Sequence, residues 1–147
     1  MGISVISLLK SFFPSGLRLV DAGDLQQLTN ILASGASGIT ALVSGTAVTS
    51  PLLTASDNQI DTSTGSGTDS VTLPPAHTGQ SVAVNNNTAN TIKIWANPAN
   101  QDNGGTADTI IDHGTTGAGA ASVTIASGLI YTFSSAKAGI WKASSSA

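Results

Sequence analysis

From Val48 onward the chain is a succession of short β-like runs separated by turn residues at intervals of roughly ten residues, and no other feature restricts its fold as strongly. The runs are VTSPLLT (48–54), NQI (58–60), SVTLP (70–74), QSVAVNN (80–86), NTIKIWA (90–96), DTIID (108–112), SVTIA (122–126), LIYTFSS (129–135) and GIWKAS (139–144). Side chains alternate across a strand, so each run divides into two faces. Val82 and Val84 share one, Ile92 and Ile94 share one with Lys93 opposite, and Leu129, Tyr131 and Phe133 share another. The pattern predicts a mainly β domain, a small antiparallel β-sandwich or barrel, with a core of Val82, Val84, Ile92, Ile94, Trp95, Tyr131, Phe133 and Trp141. Trp95 is placed inside because its neighbours on both sides are apolar; exposed for carbohydrate stacking, its ring would offer apolar area with a donor edge.

Upstream, Leu25, Leu28, Ile31 and Leu32 recur at helical spacing behind Asp24. Asp24 suits the N-cap, Gln27 three residues on completes a capping-box-like pair, and Gly35 is placed to close the helix. Such a short helix is marginal alone and must pack on its own domain or a neighbouring subunit. Before it, MGISVISLLKSFFPSG reads as an apolar arm. Lys10 interrupts the run that a secretory signal or membrane span would need, and Ile6 stands where a myristoylation pattern asks for Ser or Thr. The composition turns Gly/Ala/Ser-rich from Gly35 to Gly45, which divides the chain into an arm with a short helix (1–45) and a β-rich projecting domain (46–147). Asp61 to Asp69 reads as a polar linker or loop, Asn97 to Ala107 and His113 to Ala121 as long loop tips, and Pro74-Pro75 as an edge or turn.

Ala, Gly, Ser and Thr (20, 16, 20 and 18) supply 74 of 147 residues, so the core is thin and stability has to come from close packing or assembly. Only 13 side chains are charged, 5 basic and 8 acidic. Lys10, Arg18, Lys93, Lys137 and Lys142 are too scattered for the basic stripe that nucleic acid requires. A chain with this little charge predicts surface that ends against other protein. No cysteine is present, which removes disulfides, thiolate metal sites and thiol nucleophiles.

Catalytic candidates are few. His77 and His113 stand in no nucleophile motif and lack zinc-ligand spacing, and both read as surface-loop histidines; His113 behind Asp112 is a candidate pH-sensitive contact. Asp102, Asp108 and Asp112 are the densest carboxylates, placed where Asp caps turns through its own backbone. Calcium-loop and phosphate-loop spacings are missing. Asn86-Asn87-Thr88 fits a glycosylation sequon that composition explains by chance. No enzyme, cofactor, metal, nucleic-acid or membrane partner is expected.

The stretch DSVTLPPAHTGQSVAVNNNTANTIKIWA, then a DTI segment, then SVTIASGLIYTFSSAKAGIW, from Asp69 to Trp141, resembles a module of tailed-bacteriophage virion structural proteins. These are of the capsid decoration, cement and head-fibre type, and share the module with tail fibres. The family pattern runs DSVTLP-A-x-x-G, a strand ending in NN, an alternating I-K-I/V, DTI, and a final G-x-x-x-x-F with A-G-x-W. GLRLVDAGDLQQLTNIL resembles the short helical connector near the N-terminus of such proteins. The resemblance covers about half of the chain and another tenth upstream, and the extended polar loop Asn97 to Ala107 departs from it. It implies no catalytic residues. Together with the low charge it implies a homotrimeric virion protein on the outer capsid surface, docked on the major capsid protein through Leu8, Leu9, Phe12, Phe13 and Leu25. The alternative is a short head-fibre or tail-fibre adhesin whose loops 97–107 and 114–121 bind host-surface glycans, although a fibre usually needs more length.

Overall fold

The computed structural model describes residues 35–64, 68–113 and 118–146. The helix expected behind Asp24 and the docking residues Leu8, Leu9, Phe12, Phe13 and Leu25 lie outside them. The strands are β1 (Ala36–Thr40), β2 (Asp57–Thr62), β3 (Ser70–Thr72), β4 (Ser81–Asn86), β5 (Ile92–Trp95), β6 (Thr109–Ile111), β7 (Ser122–Ile125), β8 (Ile130–Lys137) and β9 (Ile140–Ser145). Among the described residues the one helical piece is a 3-10 turn at Gln101–Asn103. The protein is mainly β. A six-stranded sheet, ordered β1-β2-β4-β8-β9-β6, faces a three-stranded sheet, ordered β3-β5-β7, across one shared core.

Both sheets are mixed, which corrects the antiparallel expectation: four of the seven pairings (β1/β2, β2/β4, β3/β5 and β6/β9) are parallel. Parallel neighbours need a crossover connection. The chain supplies it by alternating layers, so that β3 is the crossover between β2 and β4, and β4 the crossover between β3 and β5. Among the described residues only β8 and β9 form a hairpin, turning at Gly139 with φ 82°.

Period-2 alternation selects the core as expected. Val82, Val84, Ile92, Ile94, Phe133 and Trp141 are fully buried, joined by Leu53, Ile60, Val71, Leu73, Ile110 and Ile125. Tyr131 and Leu129 share the Phe133 face but are only partly buried, and the Tyr131 and Phe133 rings lie 6.2 Å apart. Trp95 is the exception. With Ile94 pointing inward, the next residue has to face outward, and Trp95 is half-buried on the outer face beside Lys93, whose Nζ lies 5.0 Å from the indole centroid.

Eight of the nine expected runs contain strands. The ninth, 48–54, does not: Pro51 cannot donate to a ladder, and the segment makes a single bridge, Leu52 to Thr72. One strand lay hidden in the Gly/Ala/Ser-rich stretch. β1 has one large apolar residue, Ile39, and a left-handed Gly38 at φ 73°, so it carries almost no periodicity. The sheet therefore begins upstream of the boundary placed at residue 46. Asp61, read as linker, is inside β2.

Candidate functional site

Between β1 and β2 the chain crosses to the small sheet and runs along the free edge of β3. Leu42 exchanges backbone hydrogen bonds with Ser70, Pro51 accepts from Thr72, and Leu53 donates to Thr72. Residues 43–50 then fold over the outer face of that sheet. Ser50 Oγ meets Ser70 Oγ at 2.7 Å, Thr72 Oγ1 donates to Ala47 O at 3.0 Å, and Trp95 Nε1 donates to Gly45 O at 3.1 Å. The approach at Gly45 is close enough that a Cβ there would lie 2.4 Å from Ser50 Oγ and 2.5 Å from Ser70 Oγ. Polar groups thus face the sheet, and the apolar side chains are turned outward.

The result is an unusual surface. Leu42, Val43, Val48 and Leu52 are 41, 50, 78 and 49% exposed, four of the five exposed large hydrophobic residues among those described. They stand in a stretch, residues 35–56, without a single charged side chain. Val48 and Leu52 line an open hollow of about 200 Å³ together with Thr72 and Pro98. Isolated exposed apolar residues are ordinary, whereas four large ones within eleven residues of chain are a concentration of exposed apolar area.

The titratable residues converge at a different place, where the turn after β3 meets the loop 97–108. His77 lies in a loop as expected but is buried rather than at the surface, and its Nδ1 pairs with Asp102 Oδ2. Asp108 is 2% exposed; it accepts from Ala76 N at 2.7 Å and from Asn100 Nδ2 at 2.9 Å. Burial pushes its carboxyl above the ordinary value, against those two hydrogen bonds and the nearby His77, which pull it down. Asn100 Nδ2 also donates to Ala76 O, Asn97 Nδ2 to Leu73 O, and Trp141 Nε1 to Pro74 O. Each contact ties the long loop or β9 to the same turn. The chemistry is that of a clamp: the His77 side chain is 5% exposed and its Nδ1 is occupied, so the imidazole is not presented to a substrate.

The three carboxylates singled out in the sequence do not work together. Asp102 serves His77, Asp108 serves Ala76 and Asn100, and Asp112 Oδ1 accepts from the backbone N–H of exposed His113. No group of three or more His, Cys, Asp or Glu among the described residues could hold a metal ion, and no helix among them is long and apolar enough to cross a membrane.

Asn86, read as a chance sequon, is fully buried. Its Nδ2 donates to Asn90 O at 2.7 Å and across to Ile125 O of the other sheet at 3.0 Å, while its Oδ1 accepts from Thr88 N at 3.1 Å and Thr88 Oγ1 at 2.8 Å. The signal that could have found it was the run NNNTAN itself, since Asn side chains satisfy turn backbone.

The class defined by these features is a two-sheet β module with an exposed apolar segment along its small sheet and an internally pinned long loop. Comparison with known proteins finds no matching family model, no matching curated protein and no matching solved structure.

Proposed function

We propose that the protein is a bacteriophage capsid decoration, or cement, protein that assembles as a homotrimer on the outer surface of the major capsid lattice and stabilises the head. The observation that carries the assembly role is the segment 42–52 along the small sheet, which contains no charged residue and exposes Leu42, Val43, Val48 and Leu52. Apolar side chains this exposed are covered when equivalent segments of three copies meet around a three-fold axis, so neighbouring copies of the chain are their occupant. The resemblance of Asp69 to Trp141 to phage virion modules points to the virion. In this reading Leu8, Leu9, Phe12, Phe13 and Leu25 dock on the major capsid protein, and binding only to the assembled shell stabilises it by linkage.

Two measurements test the reading. Quantitative mass spectrometry of purified virions should give a copy number comparable with that of the shell protein; a handful of copies would move the chain to a vertex, neck or tail. Val48→Asp with Leu52→Asp should convert a trimer into folded monomers in sedimentation velocity. A wild-type chain that sediments as a monomer at micromolar concentration would refute the assigned contact.

A further inference from the structure

The outer face of the large sheet is as polar as the 42–52 surface is apolar, and the two lie on opposite sides of the sandwich because the inner faces share one core. A hollow of about 290 Å³ opens there, lined by Ser37 of β1, Asp57 and Gln59 of β2, Asn85 of β4 and Ile130 of β8. The register places its centre in a row across three strands: Gln59 pairs with Asn85, and Asn85 with Ile130. Gln59 is held in place. Its Nε2 donates to Asp61 Oδ1 at 2.7 Å, and Asp61 in turn accepts from Asn87 Nδ2 at 2.7 Å and Gly38 N at 2.6 Å. These bonds keep the Asp61 carboxyl below the ordinary value, with the Asn87 bond contributing most. Among the described residues the side chains of Ser37, Asp57 and Asn85 have no hydrogen-bond partner.

We propose that this hollow binds a neutral saccharide unit. The lining groups ask for both donors and acceptors: a carboxylate that only accepts, two amides that do both, and a hydroxyl that does both. A sugar ring meets that demand with adjacent hydroxyls, and its C–H face suits Ile130, which is 42% exposed. An anionic ligand is disfavoured because, among the described residues, Asp57 is the one charged residue lining the hollow. The volume, at the small end of ligand pockets, fits a single residue of a longer glycan. None of the lining residues belongs to the loops 97–107 or 113–121, and the site does not depend on capsid docking.

The test is a titration of the full-length, ¹⁵N-labelled protein with the methyl glycosides of glucose, galactose, mannose and N-acetylglucosamine to about 20 mM, the range that detects a millimolar site. The expected result is a saturable shift of the Gln59 and Asn85 side-chain amide signals with at least one glycoside. Asp57→Ala and Asn85→Ala, both substitutions at surface positions, should weaken it at least tenfold while leaving the backbone spectrum folded. No saturable shift with any glycoside overturns the proposal. So does a shift equal in both variants, or a response to calcium chloride alone, which would make the hollow a cation site. Absence from virions or a monomeric wild type would refute the capsid reading and leave this one standing.

Discussion

Asn86→Ala removes one carboxamide and four hydrogen bonds from a site with no solvent access. At about 0.5–1.5 kcal/mol net per bond, the four together bound the loss at roughly 2–6 kcal/mol. The bonds are not independent, because both Thr88 groups share Oδ1 and the Thr88 hydroxyl also reaches Asn90 O at 3.1 Å. A loss of about 3 kcal/mol is therefore expected, with the Ile125 carbonyl left without the Asn86 donor between the two sheets. Equilibrium urea unfolding followed by tryptophan fluorescence reads it directly, since Trp141 is fully buried; with a slope of about 2 kcal/mol/M the midpoint should fall by about 1.5 M. Asn86→Asp sharpens the test. It sets a buried carboxylate oxygen against the carbonyls of Asn90 and Ile125, so at neutral pH it should cost more than alanine. Its folded pKa would be raised, so stability should return as the pH falls and the protonated carboxyl regains one donor. An alanine variant within about 0.5 kcal/mol of wild type, or an aspartate variant insensitive to pH, would show that Asn86 does not pin the sheets.

Further outcomes follow from the clamp and the core. Asp108 has a folded pKa raised by burial, so its contribution to stability is fully present below the ordinary carboxylate value and is lost as pH rises through the raised one. The stability gap between Asp108→Asn and wild type should accordingly move in favour of the variant as pH rises through that window; a gap constant with pH in parallel denaturation curves would contradict the assignment. Gly139→Ala forces a side chain onto a left-handed residue and places a Cβ 2.4 Å from Asn103 Nδ2. It should lose at least about 1–2 kcal/mol, measured by thermal unfolding. Trp141→Ala, which empties a fully buried position and strands the Pro74 carbonyl, should lose about 3–5 kcal/mol by the same measurement.

What the sequence determined by itself is what local alternation encodes. The mainly β class, the positions of eight strands, and the inward faces of Val82/Val84, Ile92/Ile94 and Phe133 follow from a two-residue period that needs no knowledge of partners. The same period, applied strictly, would have turned Trp95 outward; its apolar neighbours misled because adjacent residues on a strand never share a face. Pairing direction was decided only in three dimensions. Whether β2 meets β3 or β4 depends on which layer each strand enters, and the alternation between layers makes most pairings parallel. Strand β1 was invisible because Ala, Ser and Gly carry no facial signal, and it exists through β2 beside it. The polar contacts were likewise settled by folding: His77 and Asp102 are 25 residues apart, Asn86 and Ile125 are 39 apart, and Trp141 and Pro74 are 67 apart. The hollow on the large sheet comes from residues of β1, β2, β4 and β8 that share no local pattern. Sequence period fixes which way a side chain points, whereas the identity of what it meets belongs to the tertiary fold.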